Sequence, residues 1–285
     1  MDKKVSLLIP AYNEEDSLGD AVKAAKEIEC IDEIIVIDDC SVDNTLNVAK
    51  ECGVKVIHHP YNKGYGASLK SGIRQATGGY IVTMDADGQH NPKFIPDMVK
   101  WLDEFEMVVG QRGPDSHCSL LRLPGRAILG LIASYLAGFK IPDLNSGFRC
   151  FRRDVALEYL HLLPNTFSFS TTITMALFKA GYSVKYVPIV AEKRKGGKSR
   201  VRQARHGLQT ILLMLRVIML SSPLKIFAPV AGIIFLAGLV YTVVCFIYFR
   251  FHIPAGALLM LLSGVMMFLF GIVADQIAAL RIERK

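Results

Sequence analysis

The chain has 285 residues, enough for one large domain or two small ones, with a formal net charge of +7 and 51% hydrophobic residues. Its six cysteines (Cys30, Cys40, Cys52, Cys118, Cys150, Cys245) show no C-x-x-C pair and no metal-ligand spacing. This argues against a disulfide framework or a zinc site and for reduced thiols on the cytosolic side. The basic excess points to nucleic acid or to an anionic membrane face, depending on where it lies.

Lys3 and Lys4 lead into a short strand and not into the long apolar core of a signal peptide. Val5 to Ile9 is a β-prone run fit for a strand buried on both faces. It ends at Pro10-Ala11-Tyr12-Asn13-Glu14-Glu15. Asp16 and Ser17 are expected N-caps for a helix in which Leu18, Ala21, Val22, Ala25 and Ile28 recur at helical spacing. Ile34 to Ile37 is a second strand, ending at Asp38-Asp39-Cys40-Ser41. Asp43 to Cys52 reads as a helix stopped by Gly53. Val54 to Ile57 is a third strand, residues 58–66 a loop, and Ala67 to Ala76 a helix. Tyr80 to Met84 is the fourth strand, and it runs into Asp85-Ala86-Asp87-Gly88-Gln89-His90.

Strand and helix alternate with short connections. That pattern predicts an α/β fold, a mostly parallel sheet covered by helices. Ligands bind beyond the carboxyl ends of such strands. Three polar motifs sit there: Tyr12-Asn13-Glu14, Asp38-Asp39 and Asp85-Ala86-Asp87. Each alone is an ordinary cap or turn; three on one edge predict a site. Asp-x-Asp supplies an incomplete ligand set of the kind Mg²⁺ takes beside substrate phosphates. No G-x-G-x-x-G follows the first strand, so the dinucleotide fingerprint is absent.

Ile9 to Glu15, Val36-Ile37-Asp38-Asp39-Cys40-Ser41, Asn62-Lys63-Gly64-Tyr65-Gly66-Ala67 and Asp85 to His90 resemble the inverting family 2 glycosyltransferases of GT-A fold. The nearest branch in that resemblance is the dolichol-phosphate-mannose synthases, which transfer sugars to polyprenyl phosphates. It implies a GDP- or UDP-sugar donor, with Pro10, Tyr12, Glu14, Ile37 and Asp39 at base and ribose and Asp38 as a further contact. It implies Asp87 and Gln89 on Mg²⁺ or Mn²⁺, and Asp85 and Ala86 beside the diphosphate and ribose.

Val108 to Arg112 reads as a fifth strand, and a helix is expected from Ala127 to Gly138. Arginine forks suit phosphate, and Arg112 and Arg126 match the family's acceptor-phosphate positions. The serine the family often has four residues after the second arginine is Gly130 here. Asp143-Leu144-Asn145-Ser146-Gly147-Phe148-Arg149 resembles the acidic acceptor loop D-x-x-S-G-F-R, with Asp143 to orient the acceptor or act as base. The plainer alternative is a turn with Gly147 at positive φ. A phosphate nucleophile is already anionic, so alignment and stabilisation of the leaving diphosphate would carry catalysis. A loop and helix span Phe167 to Gly181. The acidic residue many relatives carry near Thr171 to Ile173 is missing. A short strand, Tyr186 to Ile189, leads into Arg194-Lys195-Gly196-Gly197-Lys198-Ser199. That run resembles the family's R-x-x-G-x-S loop, placing Arg194 and Ser199 near the donor diphosphate.

The expected catalytic domain is 1–200. Residues 201–222 read as an amphipathic interfacial helix, with Arg202, Arg205, Gln209 and Arg216 on one stripe. Residues 223–285 read as a transmembrane hairpin, with spans at about 226–249 and 255–274, each long enough for a ~30 Å core. Basic flanks on one side predict that the catalytic domain and both termini are cytosolic. The positive excess then belongs to the membrane face, and nucleic acid is not an expected partner. Homo-oligomerisation is left open by the sequence. The expected function is metal-dependent inverting transfer of a sugar to a dolichyl or undecaprenyl phosphate. The alternatives are transfer to another lipid or glycan acceptor, or a non-catalytic nucleotide-sugar-binding membrane module.

Overall fold

The computed structural model describes residues 3–113, 134–135, 142–143, 146–190, 219, 223–248 and 254–283. The chain divides into two compact units, Met1–Ile211 and Leu212–Lys285.

In the first unit, β1 (Val5–Ala11), α1 (Glu15–Lys26), β2 (Glu33–Asp38), α2 (Thr45–Glu51), β3 (Lys55–His58), α3 (Tyr65–Gln75) and β4 (Tyr80–Thr83) alternate as the periodicity predicts. Then come α4 (Ile95–Val99), flanked by 3₁₀ turns, β5 (Met107–Arg112), β6 (Arg149–Arg152), α5 (Arg153–Tyr159), α6 (Phe169–Lys179) and β7 (Val184–Ile189). The strands form one sheet in the order β3-β2-β1-β4-β6-β5-β7. β6 runs antiparallel to both β4 and β5, and the other pairings are parallel. The carboxyl ends of the six parallel strands therefore share one edge, and β6 begins at that edge.

The strands are apolar on both faces because helices cover both. Leu7, Ile9, Val36, Val82, Val108 and Cys150 pack with Leu18, Val22, Ile95 and Met98 on one side. Leu8, Ile35, Ile37, Ile81, Val109 and Phe151 pack with Leu69, Ile73, Phe169 and Ile173 on the other. Adjacent strand residues alternate between the two layers, as the pleat requires.

Two local expectations are corrected. Helix α1 begins at Glu15 after Glu14, and Ser17 is buried inside its first turn with its hydroxyl donating to Glu14 Oε2 at 3.2 Å. The start is earlier because Glu14 N–H is already tied to Thr45 Oγ1 at 2.8 Å. Arg149 to Phe151 fall in a strand where the sequence reads as loop; arginines at both ends of Arg149–Arg152 hide its β character.

In the second unit, α7 (Leu224–Tyr248) and α8 (Ala255–Glu283) pair as a hairpin. Both contain apolar spans long enough to cross a membrane, with most of each span unburied. Side chains such as Ile233, Val240, Ile247 and Phe270 stand exposed, which suits lipid and not water. The seam is glycine-lined. A Cβ on Gly264 would lie 2.8 Å from Phe235 Cβ, and one on Gly271 would lie 2.6 Å from Phe227 Cβ. Small residues allow this close helix approach where no hydrophobic effect drives it. The interfacial helix expected at 201–222 lies outside the described residues, Met219 apart.

Candidate active site

The loops after β1 and β2 are stitched together at the carboxyl edge of the sheet. Asn13 N–H donates to Ser41 Oγ at 2.9 Å, and Val42 N–H donates to Asn13 Oδ1 at 2.9 Å. Asn13 (φ 55°) and Cys40 (φ 62°) adopt the left-handed conformation. That costs on the order of 1 kcal/mol for a residue such as cysteine and concentrates at functional loops. Pro10 and Ile37 are register partners at this end. Ile37's side chain is committed to the core, so only its backbone is offered to the edge.

The two adjacent aspartates do different things. Asp39 is buried with both carboxylate oxygens engaged: Oδ1 with His59 Nδ1 (2.7 Å) and Lys63 N–H (2.9 Å), Oδ2 with Gly64 N–H (2.8 Å). His59 Nε2 in turn meets Ser71 Oγ at 2.9 Å. Asp39 therefore clamps the loop between β3 and α3. Asp38 is also fully buried, and its Oδ2 meets His58 Nδ1 at 2.8 Å. Its Oδ1 is buried with no hydrogen-bond partner among the described residues. A buried acceptor without a donor is costly.

The Gly64-Tyr65-Gly66 segment is a junction. Gly64 takes φ 97°, where only glycine is comfortable. A Cβ on Gly66 would overlap the Pro164 carbonyl oxygen. The N-terminus of α3 is already occupied, because Asn165 O accepts from Gly66 N–H (2.9 Å) and Ala67 N–H (3.3 Å). This glycine-bearing loop is accordingly a docking joint and not a phosphate cradle. Tyr65 stacks on Phe167 with ring centroids 5.2 Å apart, and its hydroxyl donates to Asp85 Oδ1 at 2.9 Å. Burial, and then the Asp85 charge, push the Tyr65 hydroxyl well above its ordinary pKa, so it keeps its proton.

Asp85 is half-buried, with its side chain 32% exposed. Its N–H donates to His90 Nδ1 at 3.3 Å, and His90 stacks on Phe148 at 5.1 Å. A Cβ on Gly147 would lie 2.7 Å from Asp85 Oδ2. Gly147 is not among the positive-φ glycines, so close approach is what requires glycine there, not the turn geometry expected. Asp87 lies beyond on the turn, where Gly88 takes φ 73° and Gln89 N–H donates to Asp87 Oδ1 at 3.1 Å. Ala86 is buried between them.

The segment ending at β6 joins these carboxylates to the arginines. Arg112, the last residue of β5, binds Asp143 bidentately: Nε to Oδ2 at 2.8 Å and Nη2 to Oδ1 at 2.9 Å. Beneath this pair the Arg149 guanidinium is fully buried, donating to Ser146 O and Thr174 Oγ1. Burial lowers its pKa, yet an arginine keeps its charge at working pH. Tyr186 from β7 lies near Arg149 and Asp143, with its hydroxyl buried and without a hydrogen-bond partner among the described residues; burial pushes its pKa up to about 12.

Pro10, Tyr12, Glu14, Asp38, Asp39, Asp85, Ala86, Asp87, Gln89, Arg112 and Asp143 thus all lie at one sheet edge. Arg126, Arg194 and Ser199 lie outside the described residues. The sequence reading gave no role to Tyr65, Arg149 or Tyr186. Tyr65 and Arg149 stand inside the quoted motifs, but only the fold shows what they touch.

Among the described residues no three His, Cys, Asp or Glu side chains form a metal cage. The donor set of Asp87 carboxylate and Gln89 carbonyl, both hard oxygens on one turn, fits Mg²⁺ or Mn²⁺ completed by substrate oxygens.

Residues 6–160 match the profile described as "Glycosyl transferase family 2". The chain belongs to glycosyl transferase family 2. Residues 222–280 match the "GtrB C-terminal hairpin", so this glycosyltransferase couples a GT-A-type domain to a membrane-associated hairpin. An uncharacterised protein of Methanocaldococcus jannaschii is 33% identical over 196 residues, 65% of this chain and 80% of that one. An undecaprenyl-phosphate 4-deoxy-4-formamido-L-arabinose transferase of Serratia proteamaculans is 27% identical over 260 residues, covering 85% and 75%. Glucosyl-3-phosphoglycerate synthase from Mycobacterium tuberculosis, solved with Mn²⁺, UDP and glucosyl-3-phosphoglycerate, shares the fold. Its TM-score is 0.62 at 20% identity, over 75% of this chain and 80% of that one.

Proposed function

We propose that this glycosyltransferase moves a sugar, with inversion, from a nucleotide diphosphate sugar to a polyprenyl phosphate at the cytosolic face of a membrane. The observation that carries this reading is the continuity of the edge. The Asp85–Asp87 turn packs on Gly147, and the segment holding Gly147 also holds Asp143, which grips Arg112. Donor-type carboxylates and an acceptor-type arginine are thereby built into one structure. The undecaprenyl-phosphate transferases among the relatives and the hairpin match support the lipid acceptor. UDP in the related structure supports a nucleotide donor.

The chain's own groups have separable tasks. Asp38 Oδ1, buried and unpartnered, accepts a donor from the base. Asp87 and Gln89 hold a divalent cation against the diphosphate. Mg²⁺ or Mn²⁺ there would neutralise charge on the leaving nucleotide. Arg112 exchanges its Asp143 partner for the acceptor phosphate, which offers the same planar pair of oxygens. Asp143, with both oxygens engaged in the absence of acceptor, orients the incoming group and is not needed as a strong base. The phosphate oxygen then attacks the anomeric carbon.

Purified full-length protein in liposomes, given radiolabelled UDP- and GDP-sugars with undecaprenyl or dolichyl phosphate, should label the lipid from at least one donor. Chelator should stop transfer, and Asp87→Ala should abolish it. Label confined to a water-soluble acceptor or a glycan refutes the acceptor assignment. Full transfer by Asp87→Ala refutes the metal assignment.

A further inference from the structure

We infer that Tyr186 is a positioning residue for the acceptor step: when a phosphate displaces Asp143 from Arg112, the buried Tyr186 hydroxyl donates to the released Asp143 carboxylate. The inference rests on the acceptor-site reading above and adds to it the group that receives Asp143.

Without acceptor, Arg112 and Asp143 satisfy one another through two parallel bonds, Nε to Oδ2 and Nη2 to Oδ1. The Arg112 N–H also faces Asp143 Oδ2, at 3.4 Å. The Asp143 side chain is only 5% exposed. A phosphate that takes the guanidinium therefore leaves a buried carboxylate behind. Breaking one side of a buried ion pair is strongly unfavourable, because the remaining charge has neither water nor partner. The exchange needs a second donor within reach of Asp143.

The fold places one there. β5 lies between β6 and β7, and Val109 is the register partner of Arg149 on one side and of Tyr186 on the other. Register partners project from the same face of a sheet. Arg149 and Tyr186 thus flank Val109, which precedes Arg112 by three residues on the same strand. Tyr186 packs against the apolar layer that holds Val109, Leu69 and Ile173. Its hydroxyl is buried without a hydrogen-bond partner among the described residues, and so is that of Ser146, three residues after Asp143. Burial raises the Tyr186 pKa to about 12, while the Arg149 charge lowers it and the Asp143 charge raises it. The phenol therefore keeps its proton and is a donor near both charges. Phenylalanine would pack against the same layer without stranding a polar atom, so the hydroxyl is unfavourable to the acceptor-free fold. Arg149, tied to Ser146 O and Thr174 Oγ1, keeps a fixed positive charge beside the position Asp143 would take.

The test is a double-mutant cycle on purified full-length protein: wild type, Tyr186→Phe, Asp143→Asn and the double variant. The readouts are farnesyl phosphate affinity and UDP affinity in Mn²⁺, each by titration calorimetry, with thermal unfolding alongside. Tyr186→Phe should weaken farnesyl phosphate binding roughly tenfold, the loss of one hydrogen bond to a charged group, and leave UDP affinity within about twofold. Its melting temperature should equal or exceed that of wild type, since no bond of the acceptor-free fold is removed. Where Asp143→Asn has already removed the charge, Tyr186→Phe should change farnesyl phosphate affinity less than about twofold. Equal losses in both backgrounds overturn the inference, as does a lowered melting temperature with both affinities falling together. If wild type binds no farnesyl phosphate, the acceptor-site reading fails and this inference with it. If wild type binds it and Tyr186→Phe binds it equally well, the Tyr186 assignment fails alone.

Discussion

Asp39→Asn separates a clamp from a ligand. In the native chain the Asp39 carboxylate accepts two backbone N–H groups and meets one imidazole nitrogen, all within 2.9 Å, and its side chain is 5% exposed. An asparagine of the same shape must turn its NH₂ either toward Gly64 N–H or toward Lys63 N–H and His59. In each orientation at least one buried backbone donor faces another donor. A buried unsatisfied group costs about 1–3 kcal/mol, and a charge-assisted bond is lost as well. A loss of about 2–3 kcal/mol lowers the melting temperature of a domain this size by roughly 4–12 °C. Trp101, the sole tryptophan, lies in the catalytic unit against Phe105, so its fluorescence reports that unit's unfolding and not the hairpin's. A melting temperature within 1 °C of wild type, with UDP binding lost, would refute the reasoning and make Asp39 a direct nucleotide ligand.

Asp38→Asn is expected to do the reverse: UDP affinity should fall at least tenfold with little change in melting, since Oδ1 has no internal partner to lose; calorimetry beside a thermal melt checks this. Arg112→Lys should raise the apparent KM for the lipid phosphate while leaving UDP affinity unchanged, because an ammonium cannot reproduce the two-pronged grip; steady-state kinetics with varied acceptor decide it. Glu33→Gln should alter acid stability. Burial alone would raise the Glu33 pKa, but hydrogen bonds from Thr77 N–H, Ser6, the Thr77 hydroxyl and Lys55 outweigh it, and the folded pKa lies below the ordinary value of 4.5. The native state thus binds fewer protons than the unfolded chain. The stabilisation is full above that pH and is lost as pH falls through the lowered value. The wild-type advantage over Glu33→Gln in urea melts should shrink below about pH 4.5 and vanish in stronger acid.

Much of this architecture is legible in the sequence because the strands are long apolar runs that stop at polar motifs. Val5, Ile34 and Tyr80 begin such runs, and their ends converge in the fold. β6 escapes the same reading because Arg149–Arg152 has a cation at each end, and the burial of Arg149 is made tolerable by Ser146 and Thr174, contributed by a preceding loop and a distant helix. Residue type also says nothing about partner. Asp38 and Asp39 are chemically identical neighbours, yet one is saturated by loop amides and the other holds an orphaned oxygen. Gly147 is foreseeable as a glycine of structural need, but its reason, the Asp85 carboxylate against its Cα, exists only once β4 and β6 are side by side.

The reversal of β6 has a topological consequence. The chain leaves the sheet at Arg112 and re-enters at Arg149, two points on the same rim, so everything between is an excursion with both feet planted beside the reaction centre. Among the described residues, no strand pairing of the sheet is made by that excursion. Under the proposed function the acceptor's contacts belong to the excursion, whereas the nucleotide's belong to the ends of β1, β2 and β4.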